Sequence, residues 1–262
     1  IMHGKYYLTE EIKPNIDTMG NVAFTNDDVL FDWTAFEIPK GTAALVSFTA
    51  KMAGVNGTAQ KKSFDVFFAQ SINGVAPPTF GDSNDAKSVI KTQTVRPYII
   101  GYQRFIPAAD GDTTDSLVGY NILGNGQGSD NGDRSVKPII LQGDPDGFPG
   151  DSTYSKTTPG YQTIFIAATI TNADFGTGVN IAGENAADHL TIDVDGVDAD
   201  DIFAVGDTVI AFDADGSGAT LIGDVTALTD AVVTVDAAPN IIADDDELCN
   251  RNPVTLRFGF EY

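Results

Sequence analysis

From residue 157 to residue 250 the sequence has no lysine and no arginine. The weak base His189 is the only basic group there. Residues 172–250 also carry 18 of the 37 carboxylates. A surface of that sign repels nucleic acid and anionic membrane, and it suits anionic substrates poorly. Cysteine is nearly absent: Cys249 stands alone, which excludes an intrachain disulfide. No apolar run reaches the length of a membrane-spanning helix. The opening IMHGKYYLTEEIKP offers Lys5 but no apolar core after it, so it does not read as a secretory signal. Histidine is limited to His3 and His189, and no HExxH, GxSxG, CxxC, P-loop or dinucleotide fingerprint occurs. No residue is assigned a catalytic role.

What is present favours strands. Of the 262 residues, 42% are hydrophobic, enough for a packed core, while 27 glycines and 12 prolines punctuate the chain with turns. The formal net charge of −22 costs stability through self-repulsion unless salt or bound cations screen it. Period-two alternation marks strands at 44–50 and 64–70, and Asn56-Gly57 between them predicts a hairpin. Phe67 breaks the polar side of the second strand and suggests that both of its faces are covered. Further strands are expected at 95–105, 161–171 and 254–262, with the last pairing with 161–171. Residues 71–93, 108–135 and 143–158 read as loops, and 138–141 as a short apolar piece. Four short strands at 190–194, 208–212, 220–225 and 231–235 have the spacing of a small closed barrel or meander.

The composition before 171 resembles that after 251, and the piece between is distinct. The expected architecture is therefore all-β. An extended N-terminal arm (1–40) precedes a β-sandwich-like parent domain (41–171 plus 251–262), into which a small acidic β-barrel domain (172–250) is inserted.

Three acidic groups are candidate sites. Asp213, Asp215, Ser217 and Asp224 place oxygens at positions 1, 3, 5 and 12 of a calcium-hand-like loop, with Gly218 at position six. Against this, the flanks read as strands and position 12 is the short Asp, so a strand–turn–strand hairpin explains the same residues. Asp193, Asp195, Asp198 and Asp200, with Asp201, form a second cluster whose hard oxygens suit Ca²⁺ or simply water. Asp244-Asp245-Asp246-Glu247 reads as a solvated run. No other cofactor is implied. The aromatics Tyr6, Tyr7, Phe31, Trp33 and Phe36, near the N-terminus, divide between core and interface anchors. The lysines and arginines lie outside 157–250, so one part of the molecule is fit to dock and the other to face solvent.

The insert strands Val205-Gly206-Asp207-Thr208-Val209, Leu221-Ile222-Gly223-Asp224-Val225 and Ala231-Val232-Val233-Thr234-Val235 resemble small β-barrel modules of tailed-phage structural proteins. Residues 41–106, including Phe67-Phe68-Ala69-Gln70-Ser71-Ile72-Asn73-Gly74, are similar to virion proteins of marine tailed phages, among them capsid decoration and cement-like proteins. The resemblance implies a non-enzymatic homo-oligomer, such as a trimer, made in the host cytoplasm and placed on the capsid surface. Its partners would be the major capsid protein or other shell subunits, with no nucleic acid and no membrane. Other readings are a tail or appendage component, a calcium-stabilised surface or carbohydrate-binding module, and a polysaccharide-acting enzyme.

Overall fold

The computed structural model describes residues 5–16, 24–25, 27–53, 62–82, 92–105, 111–114, 117–123, 139–145, 159–173, 179–180, 190–195, 198–215, 217–237 and 242–262. The chain folds as sixteen strands among these residues: β1 (Tyr6–Leu8), β2 (Asp28–Pro39), β3 (Ala43–Ala53), β4 (Phe64–Ala69), β5 (Ile99–Phe105), β6 (Gly111–Thr114), β7 (Leu117–Leu123), β8 (Ile139–Leu141), β9 (Tyr161–Ile170), β10 (Val179–Asn180), β11 (Thr191–Asp193), β12 (Thr208–Phe212), β13 (Thr220–Thr229), β14 (Val232–Val235), β15 (Glu247–Asn250) and β16 (Val254–Glu261). Helix among them is limited to a turn at Thr92–Val95 and two short 3-10 turns. No helix among the described residues is long and apolar enough to cross a membrane.

Three antiparallel sheets result. Sheet I runs β1-β16-β3-β7-β6, with β8 also paired to β3; sheet II runs β2-β9-β4-β5; sheet III runs β10-β15-β12-β13-β14-β11. Sheets I and II form a sandwich. Phe48, Ala50 and Met52 of β3 and Leu256, Phe258 and Phe260 of β16 share one buried cluster with Phe64, Val66 and Phe68 of β4 and Ile164, Ile166 and Ala168 of β9. Phe48 sits at its centre, with ring centroids 4.4 Å from both Phe105 and Phe258. Each such ring contributes about 1.5–3 kcal/mol by leaving water.

Sheet II is covered on its other face as well, as Phe67 suggested. Val29, Trp33, Phe80, Val95, Phe165 and Ala167 form a second cluster there, with Phe67 packed against it. Asp32 holds the covering loop in place by accepting from the Phe80 amide and the Thr79 hydroxyl, both at 2.7 Å. Trp33 Nε1 donates to the Pro78 carbonyl at 2.9 Å.

Several expectations are corrected. Strands 44–50 and 64–70 do not pair: β3 belongs to sheet I and β4 to sheet II, and they face each other across the core. The Asn56-Gly57 turn lies outside the described residues. The final strand pairs with β1 and β3 rather than with β9, because Phe258 and Phe260 are needed opposite β4 and β9 as the facing layer. Residues 28–39, expected within the arm, are a 12-residue strand, and bulges between Val29/Phe31 and Phe31/Thr34 break its alternation. The loop expected at 108–135 contains the β6–β7 hairpin. Residues 124–138, with their Gly/Asn run, and 146–158 lie outside the described residues.

Sheet III does not close into a barrel among the described residues, since β10 and β11 end the path without pairing. It bends instead at β13, where the register shifts between Val225 and Ala227. Its two halves then curl round a cluster of Ile192, Val209, Ile222, Val225, Val233 and Leu248. The opposite face of β12 and β15 enters the sandwich core through Ile210, Phe212 and Cys249. One sheet therefore serves two cores, which is why 208–212 is apolar at successive positions.

Candidate functional site

A cleft of about 410 Å³ opens where the N-terminal segment, the start of β16 and sheet III meet. Glu11, Lys13 and Lys51 line one side, and Asp200, Ile202, Phe203, Val205 and Asp207 the other, with Asn250 and Asn252 at the base. The segment reaches this place as an added edge. After β1, Ile12 exchanges backbone hydrogen bonds with Leu256 at 2.9 and 2.8 Å, and the Ile16 amide donates to the Arg251 carbonyl at 2.9 Å. Ile16 is fully buried in the sandwich core.

Much of the polar lining is paired within the chain. Asp207 accepts from Asn250 Nδ2 at 2.7 Å and from the Ala204 amide at 2.9 Å on one oxygen, and faces Lys13 Nζ at 3.3 Å on the other. Lys13 also donates to the Gly206 carbonyl at 3.1 Å. Asn252 Nδ2 lies 3.0 Å from the Pro14 carbonyl and 3.0 Å from Asn15 Oδ1, and the Asn252 amide donates to Asn250 Oδ1 at 2.8 Å. At the rim Lys51 donates to Glu11 at 2.8 Å, and that bond holds the Glu11 carboxyl below the usual carboxylate range. The network is a seam that ties the N-terminal segment to sheet III. Nothing in the local pattern around Asn250 and Asn252 marks them for this role. A buried amide pair has no signature in a single sequence.

The acidic candidates separate in space. Ser217 donates from its hydroxyl to Asp215 at 2.6 Å, with an Asp213 oxygen 3.3 Å from the same hydroxyl, and from its amide to Asp215 at 3.0 Å. The hydroxyl bond chiefly lowers the Asp215 pKa. Asp224 is not in this turn. It pairs with Thr208 at the far end of the β12–β13 hairpin, where its carboxylate accepts the Thr208 hydroxyl at 2.7 Å. Thr220, beside the turn, lies four residues or roughly 13 Å of strand away. Of the two readings of this motif, the strand–turn–strand hairpin is the one the backbone adopts, because both flanks extend rather than coil back. Gly218 has φ +68°, and a Cβ there would collide with the Asp213 carboxylate.

Asp193 and Asp195 are exposed on one face, with Ile192 and Val194 buried between and beside them, as alternation required. Asp198 and Asp200 are exposed at the 3-10 turn Ala199–Asp201. Asp244 and Asp245 form an exposed turn in which Asp246 accepts the Ala243 amide, and Glu247 enters β15 and is buried. No group of three or more acidic, histidine or cysteine side chains is placed to hold a metal among the described residues.

The aromatic anchors are mostly interior. Phe31 and Phe36 belong to the sandwich core and Trp33 to the cluster behind sheet II. Of the two roles expected for them, these three take the core, since β2 has a covered layer on each face. Tyr7 is half-buried beside Tyr161, with ring centroids 5.9 Å apart. Tyr6 alone of the five is open, at 73% exposure.

No protein-family model matches the chain, and no curated protein matches it.

Proposed function

We propose that this chain is a non-catalytic virion structural protein that decorates or cements a phage capsid surface through subunit contacts. In this reading residues 172–250 are an inserted acidic module turned to solvent, and the sandwich is the part that docks. The observation that carries the reading is the exposure of that module's carboxylates. Asp193, Asp195, Asp198, Asp200, Asp213, Asp215, Asp224, Asp230, Asp236, Asp244 and Asp245 are all exposed. An outward acidic layer on a saline particle keeps particles apart and repels the packaged nucleic acid. The cleft at the seam supports the same reading, because Lys13 with Asp207 and Lys51 with Glu11 neutralise each other. Paired charges of this kind serve attachment of the N-terminal segment better than proton transfer to a substrate.

The test is electron microscopy of the native particle together with co-sedimentation of purified chain and stripped shells. The expected result is density for the sandwich against the shell, residues 172–250 outermost, and saturable binding. A particle lacking the chain, or shells that fail to retain it at any salt concentration, removes the proposal.

A further inference from the structure

The edges of the sheets are guarded unequally. β2, which ends sheet II, has two bulges together with Asp28, Asp32, Glu37 and Pro39. β5, at the other end, carries Arg104, and β11 carries Asp193. Charges, prolines and bulges are the devices that stop edges from pairing with other chains. Three edge strands have none of them within their spans: β8 (Ile-Ile-Leu), the two-residue β10 (Val-Asn), and β1, whose sequence is Tyr-Tyr-Leu and which, among the described residues, is the last strand on its side of sheet I.

Its hydrogen bonding leaves a defined set of groups turned outward. The Tyr262 amide donates to the Lys5 carbonyl at 2.9 Å, and the Thr9 amide donates to the Phe258 carbonyl at 2.9 Å. Successive residues of an antiparallel strand direct their backbone groups to alternate sides. Lys5, Tyr7 and Thr9 therefore face β16, and the N–H and C=O of Tyr6 and Leu8 face away from the sheet. The side chains of these two residues are 73% and 53% exposed.

We propose that β1 pairs antiparallel with β1 of a second copy, about a two-fold axis at Tyr7. Such an axis keeps like faces together, so a residue can stand opposite only residues an even number of positions away. Among those registers, the one that sets Tyr6 opposite Leu8 uses all four outward groups, in two exchanged pairs of hydrogen bonds. It also lays each Tyr6 ring beside the partner's Leu8. Antiparallel direction brings the exposed Lys5 end of one strand beside the exposed Glu10 and Glu11 end of the other, where parallel direction would set like charge beside like. A three-residue strand buries little area, and two copies at −22 repel. The pairing is accordingly weak, with a dissociation constant on the order of micromolar, and it strengthens with salt. It does not depend on the shell reading.

Sedimentation velocity of the 262-residue chain up to about 100 µM, in about 0.5 M NaCl, tests it. The wild type is expected to sediment as a dimer. Leu8→Pro removes one outward N–H that β16 does not use, and it should weaken dimerisation at least about tenfold while Trp33 emission stays native. If that variant does not fold, Leu8→Lys decides, since it alters only an exposed side chain and sets a charge against the partner's Tyr6. A wild type that stays monomeric, or an oligomer that both folded variants leave intact, overturns the pairing. A dimer that never binds a shell leaves the pairing standing and removes the function proposed above; a monomer found on the particle does the reverse.

Discussion

Individual side chains here are held mainly by what they face across the chain. Asp65 is buried and receives a two-pronged contact from Arg104, at 2.7 and 2.8 Å, across the β4–β5 ladder. Burial, and then the Asp65 carboxylate beside it, push the Tyr102 hydroxyl up to about 12. Tyr7 and Tyr262 are raised as well, both chiefly by burial. A tyrosine whose folded pKa is raised keeps its proton when the unfolded chain has lost it. The unfolded state then binds fewer protons, so this contribution is intact below about pH 10 and is lost as pH rises towards 12. Stability should therefore fall modestly over that window, since Tyr102 is 45% exposed and solvent screens its share. Urea midpoints at stepped pH, with tyrosinate absorbance followed in parallel, check it; a flat midpoint beyond about pH 11 contradicts the shifts. At this scale the sequence is least legible. Asp65 and Arg104 are 39 positions apart, and only the ladder makes them neighbours.

Among the elements, the strands with clean alternation were legible and the irregular ones were not. β3 and β16 lie nearly where their alternation puts them, because one face of each must be apolar, and β9 was legible as a continuous apolar run buried on both faces. β2 fell within the expected extended arm because its bulges put Leu30 and Phe31 into the same core in succession and hide its alternation. Pairing was harder still. β3 and β4 have hairpin-like spacing, yet their apolar faces meet across the sandwich. The β12–β13 hairpin matters most for the calcium reading. Its turn is closed by Ser217 on Asp213 and Asp215, and Asp224 is at the other end. Millimolar Ca²⁺ should therefore raise the thermal midpoint no more than an equal ionic strength of NaCl, and chelation should leave it unchanged. Scanning calorimetry reads this directly, and a specific Ca²⁺ shift abolished by Asp213→Asn would restore a site there.

For the whole molecule the dominant fact is a charge of −22 spread unevenly over three sheets. The acidic sheet is not a detached appendage, because Ile210, Phe212 and Cys249 sit in the sandwich core. Repulsion within sheet III therefore acts on a surface that is fixed to the rest. Screening should stabilise the fold: raising NaCl from about 0.02 to 0.5 M shortens the Debye length from about 20 Å to about 4 Å. The thermal midpoint should rise across that range. Trp33 emission reports the sandwich, since that ring is buried behind sheet II and packs edge-on to Phe80 at 5.1 Å. A midpoint that falls with salt would mean that attractive pairs such as Lys13–Asp207 outweigh the repulsion.

Residue types and their local period were enough to specify a chain built of strands, no intrachain disulfide, and a net negative charge concentrated in residues 172–250. Those properties need no partner to be defined. Only long-range packing settled which strands pair, that β12 and β15 serve two cores, that Asp224 lies at the far end of the β12–β13 hairpin from Asp213, and that the N-terminal segment closes onto its own sheet while leaving Tyr6 and Leu8 turned outward. Each of these depends on contacts between residues far apart in the chain. Their energy comes from burying one apolar face against another, and a linear pattern specifies that a face is apolar without specifying what it will meet.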